Sequence, residues 1–174
     1  MPIILKGVAT WEDTVLAIEA GVQGVVLSNH GGRQLDMARS GLEILVEVIA
    51  ELKKRKLWPN PNFHIFIDGG VRRASDILKA LALGASAVGI GKGFLYSYCA
   101  YGQEGVERAI DILKDEMTMD MRMLGITKIS ELVPEMVDAS GLTAHPVPSP
   151  EHVLYNNTCE RLIFPPLFSP QLRG

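Results

Sequence analysis

The sequence has little of what marks disulfide-rich, metal-binding or membrane proteins. Its 174 residues include two cysteines, Cys99 and Cys159, which lie far apart and lack the spacing of metal ligands. This pair suits a reduced compartment better than a disulfide framework. No apolar run approaches the length of a membrane span, and the chain does not begin like a signal peptide. We therefore expect neither a metal site nor a membrane span.

The chain also has no large excess of positive or negative charge. The formal net charge is -3, and only 21% of the residues are charged. The densest basic run, residues 53–56, is typical of the solvated end of a helix. These features argue against nucleic acid or a membrane surface as a partner. A hydrophobic content of 47% is ordinary for a globular domain with a core.

What the sequence does contain is a regular alternation of short apolar runs and helical patterns. The runs are continuous rather than alternating, which predicts parallel strands covered by helices. Strands are expected at residues 3–5, 24–27, 64–67 and 87–90. Helices are expected at residues 11–20, 42–54, 74–83 and 104–124.

This order fits half of a (β/α)₈ (TIM) barrel or a small doubly wound α/β sheet. Polar turns follow every strand, and in a barrel such turns converge on one face, so the barrel is favoured. Because a complete barrel takes about 250 residues, we expect a half barrel over residues 1–125. A proline-rich, irregular extension over residues 126–174 would wrap the domain or bind a partner.

The turn at residues 28–34 carries the most informative chemistry. His30 follows a strand, where a histidine is well placed for proton transfer. Arg33 can present a planar fork to a carboxylate, and Gly31 and Gly32 allow a sharp turn close to a flat ligand. The alternative is a polar loop in which the histidine and the arginine are incidental.

Two glycine-rich turns follow the later strands. Asp68-Gly69-Gly70-Val71-Arg72 and Gly91-Lys92-Gly93 open helices and are typical of backbone cradles for a phosphate. Lys6, which we expect to end the first strand, is suited to place positive charge beside an electron-rich ring. The alternatives are helix-initiating turns without a ligand and an ordinary surface lysine.

These motifs together resemble the FMN-dependent 2-hydroxy-acid dehydrogenase family, which includes glycolate oxidase, lactate oxidase, mandelate dehydrogenase and flavocytochrome b2. The resemblance rests on four stretches and covers nearly the whole chain. The most specific is Ser-Asn-His-Gly-Gly-Arg-Gln, and the tail most resembles the fungal flavocytochrome b2 branch. The stretches are residues 6–8, 27–36, 68–73 and 94–96, with the tail motif at 153–156.

The resemblance implies a role for each site residue. His30 would bind the substrate at its hydroxyl-bearing carbon or its hydroxyl and act as the catalytic base, and Arg33 would bind the substrate carboxylate. Lys6 and Ser28 would contact the flavin ring. The rest of FMN would be bound by Asp68, Gly69, Gly70, Val71, Arg72, Gly91 and Lys92. The family usually has Arg-Pro where Lys92-Gly93 stands here, so a bidentate phosphate contact is lost.

The implied function is FMN-dependent oxidation of an L-2-hydroxy acid of the lactate or glycolate type to the 2-oxo acid. The resemblance places this chain at strands five to eight, so the other active-site residues would belong to an N-terminal half. We expect pairing with such a half or a homo-oligomer. A non-catalytic FMN-binding or assembly protein and a doubly wound nucleotide-binding protein remain as alternatives. The electron acceptor and the compartment, cytoplasmic or mitochondrial, stay open.

Overall fold

The computed structural model describes residues 1–142 and consists of one parallel sheet with helices packed on it. The four strands are parallel and lie in the order of the chain, from β1 to β4. Their bounds are Ile4–Val8 for β1, Gly24–Leu27 for β2, His64–Asp68 for β3 and Ala87–Gly89 for β4. The predicted parallel sheet is thus confirmed, and β1 and β4 form its two edges.

Four helices connect or follow the strands. They are α1 at Trp11–Glu19, α2 at Gly41–Lys54, α3 at Ala74–Ala82 and α4 at Lys92–Leu124. The Ser40 hydroxyl accepts a hydrogen bond from the Glu43 amide, and the Glu43 carboxylate accepts one from the Ser40 amide. This reciprocal capping box fixes where α2 begins. None of the helices formed by residues 1–142 could span a lipid bilayer.

The core lies between the sheet and the helices. Val25 and Leu27 of β2 and Ile65 and Ile67 of β3 point to this side and are almost fully buried. They pack with the apolar face of α2, whose buried residues recur at helical spacing. Those residues are Ile44, Leu45, Val48, Ile49 and Leu52.

The opposite face of the sheet is open. Ile4, Val26 and Phe66 lie on this face by register, and none of them is buried. Doubly wound folds carry helices on both faces and change strand order at a switch point. A sequential sheet with helices on one side is instead the arrangement of a (β/α)-barrel segment.

Two predicted boundaries were wrong. Lys6 does not end β1, because the strand continues to Val8 through an irregularity at Gly7, whose φ is +92°. A glycine adopts this conformation without the steric cost that a side chain would add. Lys6 therefore lies inside the strand.

The second error concerns Gly91-Lys92-Gly93, which was expected to form a turn ahead of a helix at 104–124. Lys92 instead begins α4, and Gly102 breaks that helix with φ +61° and ψ −145°. Three short 3₁₀ turns follow up to Leu142. The proline-rich part of the predicted extension and its 153–156 motif lie outside the described residues.

Candidate active site

The carboxyl ends of the strands bring together three polar side chains, which we call the Lys6–Ser28–Asp68 cluster. The Lys6 ammonium lies 2.8 Å from Asp68 Oδ2 and donates a hydrogen bond to Ser28 Oγ at 3.0 Å. Ser28 is 4% exposed, whereas the side chains of Lys6 and Asp68 are 48% and 24% exposed. Side chains from three neighbouring strands therefore meet near the carboxyl ends of β2 and β3, as the parallel topology allows.

Ser28 also connects this cluster to His30. Its hydroxyl oxygen accepts a hydrogen bond from the His30 amide at 3.0 Å, in addition to the bond from Lys6. Both acceptor positions of the hydroxyl are thus occupied. The serine fixes the backbone of His30 relative to the Lys6 ammonium.

His30 has an unusual backbone conformation. Its φ is +58°, and Gly31 and Gly32 follow with φ of +68° and +72°. A left-handed conformation costs a residue with a side chain roughly 1 kcal/mol or more, and such strain persists where surrounding bonds hold it. The His30 imidazole is exposed and makes no hydrogen bond to any residue that the structure describes.

Arg33 is held to the same turn by one of its nitrogens. Its Nε donates to the His30 carbonyl oxygen at 3.2 Å. Its two terminal NH₂ groups find no partner within residues 1–142, and the side chain is exposed. A guanidinium held in this way still offers its planar donor pair to a carboxylate.

One atom of the cluster is unsatisfied. Asp68 Oδ1 is buried and has no hydrogen-bond partner among the described residues. A buried acceptor without a partner costs free energy, and in native structures it calls for a bound water, ion or ligand. The Lys6–Ser28–Asp68 cluster therefore has the capacity to accept a hydrogen bond from a bound molecule.

The two glycine-rich turns differ in which backbone amides they leave available to a ligand. The amides of Arg72 and Arg73 both donate to the Asp76 carboxylate, and the Val71 side chain is buried in the core. At α4, in contrast, Gly91 makes no side-chain cap, so the first-turn amides remain available. The start of α4 is thus better suited to an anion than the amides of Arg72 and Arg73.

The expected site residues are partly assembled. Lys6, Ser28, Asp68, His30 and Arg33 form one connected network of contacts. Arg72, Gly91 and Lys92 follow the neighbouring strands β3 and β4, but no hydrogen bond or ion pair in the described part of the chain joins them to this network. The turns around Gly69, Gly70 and Gly91 leave space where a side chain would stand, apart from the Asn29 carboxamide near Gly69.

Sequence reasoning missed two residues that shape the site. Asn29 accepts a hydrogen bond from the Gly31 amide at 3.0 Å, and Asp76 caps the amides that precede α3. Both had a local signal. An asparagine two residues before a glycine is typical of an Asx-turn, and an acidic residue three positions into a helix is typical of a capping box.

The model of the FMN-dependent dehydrogenase family matches residues 1–139. The chain belongs to this family. Membership indicates FMN as the cofactor and confirms the resemblance that the motifs carried.

Individual relatives agree with this assignment. The chain is 52% identical over 160 residues to L-lactate dehydrogenase (cytochrome) of Saccharomyces cerevisiae, covering 92% of this chain and 27% of that protein. It is 45% identical over 132 residues to glycolate oxidase 3 of Oryza sativa subsp. indica, covering 76% of this chain and 34% of that protein.

Solved structures give the same result. The flavin-binding domain of baker's yeast flavocytochrome b2 has a TM-score of 0.79 at 51% identity, covering 95% of this chain and 42% of that chain. A mandelate oxidase has a TM-score of 0.69 at 38% identity, covering 77% and 38%. The chain thus spans about a quarter to two fifths of the relatives it matches.

The residues at the rim fit FMN. The unpartnered Asp68 Oδ1 can accept a hydrogen bond from a ligand hydroxyl, and the Lys6 ammonium can face an electron-rich ring edge. The uncapped start of α4, with Lys92, suits a phosphate. Donor, acceptor and cation are therefore present in the kinds that a flavin mononucleotide requires.

Proposed function

We propose that this chain forms part of an enzyme that oxidises an L-2-hydroxy acid, of the lactate or glycolate type, to the 2-oxo acid. The observation that carries the proposal is the hydrogen-bonded connection from Lys6 through Ser28 to His30. It links the residue suited to a flavin with the residue suited to proton transfer. The named activities of the lactate- and glycolate-oxidising relatives support it.

Each residue has a part in the proposed reaction. FMN, when bound, supplies the two-electron acceptor. The Arg33 NH₂ groups bind the substrate carboxylate as a bidentate pair. The His30 imidazole takes up a proton from the hydroxyl-bearing carbon or from its hydroxyl, since conversion to the 2-oxo acid removes two electrons and two protons.

The cofactor would be held from two sides. Lys6, Ser28 and Asp68 are proposed to contact the ring and the adjoining chain of hydroxyls. Gly69, Gly70, Arg72, Gly91 and Lys92 are proposed to surround the phosphate. Val71 would contribute its backbone only, because its side chain is 8% exposed and packs in the core.

We further infer that β1 to β4 correspond to barrel strands five to eight, with residues 1–125 as a half barrel and 126–174 as an extension. The open sheet face and the exposed apolar residues at β1 support this, since Ile4 and Leu5 are 48% and 42% exposed. A complementary N-terminal half, or a second copy of the chain, would cover them. The small 2-hydroxy acid would then bind inside the completed barrel.

The proposal is tested by combining the chain with the N-terminal segment of the yeast relative and following flavin bleaching anaerobically with lactate or glycolate. We expect His30→Gln to slow reduction about a hundred- to ten-thousand-fold while FMN stays bound. His64→Gln is the matched control, because His64 is also exposed but begins β3 at the opposite end of the sheet. Reduction of the His30→Gln protein at the parent rate would overturn the assignment of the base.

A second substitution separates binding from proton transfer. Arg33→Lys should weaken substrate binding and slow reduction together, since one ammonium cannot make two parallel bonds to a carboxylate. Arg108→Lys on α4, also exposed, should change neither. An Arg33→Lys protein with parent kinetics would contradict the carboxylate assignment.

A non-catalytic FMN-binding or assembly protein is the second candidate function. The unpaired edges at β1 and β4 favour it, because exposed strand edges are surfaces for pairing with another chain. FMN binding without any oxidation of lactate or glycolate, in the combined protein, would favour this candidate over the enzyme.

A further inference from the structure

Asn29 lies where three segments of the site meet. It follows Ser28 at the end of β2, and its φ and ψ of −89° and 13° place it in the sparsely populated bridge region. Its carboxamide oxygen accepts the Gly31 amide at 3.0 Å, and its carboxamide nitrogen donates to the Ala38 carbonyl at 3.4 Å. One side chain thus spans the loop that follows β2.

The same carboxamide also faces the glycine turn after β3. Asn29 Oδ1 lies 3.4 Å from the position that a Cβ would take on Gly69, so the two turns are close neighbours. Gly69 itself has φ +86°. The missing Cβ of Gly69 therefore leaves room between its turn and the Asn29 carboxamide.

The strained backbone of His30 needs such a restraint. Ser28 Oγ holds the His30 amide, and the Gly32 amide bonds to the Asn29 carbonyl at 3.0 Å. The Asn29 side chain supplies the bond at Gly31, between these two. A left-handed residue with a side chain persists only where its surroundings over-determine it, and Asn29 is one of the two side chains whose bonds to backbone amides do so.

We propose that Asn29 is a positioning residue, which holds His30 in its left-handed conformation and ties the His30 turn to the Ala38 end of the same loop. An amide is required because one atom must accept while the other donates, which a carboxylate cannot do. The proposal rests on the proposed function only for the view that this His30 conformation serves proton transfer.

The test is NMR spectroscopy on the 174-residue chain without flavin. A positive φ gives a strong cross-peak between a residue's own amide and α protons, and amide hydrogen exchange reports the bond at Gly31. We expect Asn29→Ala to weaken the His30 cross-peak and to speed exchange at Gly31 about two- to tenfold, as loss of one net hydrogen bond does.

Asn60→Ala is the matched control. Asn60 Oδ1 accepts the Asn62 amide at 3.0 Å in the loop before β3, so the same kind of bond is removed at the opposite end of the sheet. It should leave the His30 and Gly31 signals unchanged. Equal changes in the two variants would mean a general loss of stability and would overturn the proposal.

Asn29→Asp provides a second NMR test if the Asn29→Ala protein does not fold. Its carboxylate still accepts the Gly31 amide but cannot donate to Ala38, so we expect Gly31 to stay protected while the amides of residues 36–38 shift. A Gly31 amide that exchanges freely in this variant, or an unchanged His30 cross-peak in Asn29→Ala, would refute it. Because no flavin is present, failure here is distinct from failure of the proposed oxidation.

Discussion

Replacing Ser28 by alanine tests the connection on which the site depends. The substitution removes one oxygen atom and leaves two donors, the Lys6 ammonium and the His30 amide, without their acceptor. Nothing else in the core changes, because alanine leaves the buried backbone of the β2 end in place. The effect is therefore attributable to the two hydrogen bonds.

The magnitude follows from the exposure of the two donors. The Lys6 side chain is 48% exposed and keeps Asp68 as its partner, so water can replace the lost bond at little cost. The bond from the His30 amide to Ser28 is part-buried, and Ser28 is 4% exposed, so water replaces this bond less readily. We expect a loss of about 1–2 kcal/mol in the free energy of unfolding, in the range for one unsatisfied donor.

Urea unfolding measures this loss. With a slope of about 1–3 kcal/mol/M for a small protein, the midpoint of Ser28→Ala should fall by several tenths of a molar or more. Ser97→Ala is the control, because its exposed hydroxyl donates only to the Gly93 carbonyl within α4. Its free energy of unfolding should change by about 0.5 kcal/mol or less. Equal midpoints for the two variants would refute the role given to Ser28.

Three further substitutions test other contacts. Hydrogen bonds from Arg73 and the Ala74 amide lower the pKa of Glu116. The ionised carboxylate therefore stabilises the fold above the ordinary glutamate range, and this stabilisation is lost as pH falls through the lowered pKa. Acid unfolding curves of Glu116→Gln should lack that part of the pH dependence, and curves identical to those of the parent would contradict it. Lys92→Arg should tighten FMN binding in a fluorescence titration, since a guanidinium makes paired bonds to phosphate oxygens; unchanged affinity would argue against a phosphate at α4. Gly105→Ala should lower the thermal midpoint of unfolding, because the alanine Cβ would lie within 3.0 Å of the Ser97 carbonyl oxygen, where α4 folds back after the break at Gly102. An unchanged midpoint would mean that the two parts of α4 separate freely.

The sheet could be predicted from the sequence because its signal is local. Continuous apolar runs mark strands covered by helices, and the caps at Thr10 and Ser40 mark where helices begin. The break at Gly102 could not be placed in the same way. A glycine within a helical pattern is ordinarily tolerated, and only the packing of Gly105 against the Ser97 carbonyl shows why the chain turns there.

The candidate site could likewise be predicted only in part from the sequence. His30 and Arg33 stand out because histidine and arginine after a strand are suited to chemistry. The ion pair of Lys6 with Asp68 depends on the register of β1 relative to β3 and on the irregularity at Gly7, which no local pattern reveals. Asn29 had a local signal in its Asx-turn with Gly31, but its bond to Ala38 depends on how the loop after β2 folds.

Preference for FMN over riboflavin tests the central claim most directly, because the two ligands differ only in the phosphate. The measurement is a fluorescence titration of both flavins with the chain and its complementary N-terminal segment, followed by the same titration with the His64→Gln control. We expect clearly tighter binding of FMN, because Lys92 and the uncapped start of α4 are proposed to bind the phosphate. Equal affinity for the two flavins, or no binding of either, would contradict it.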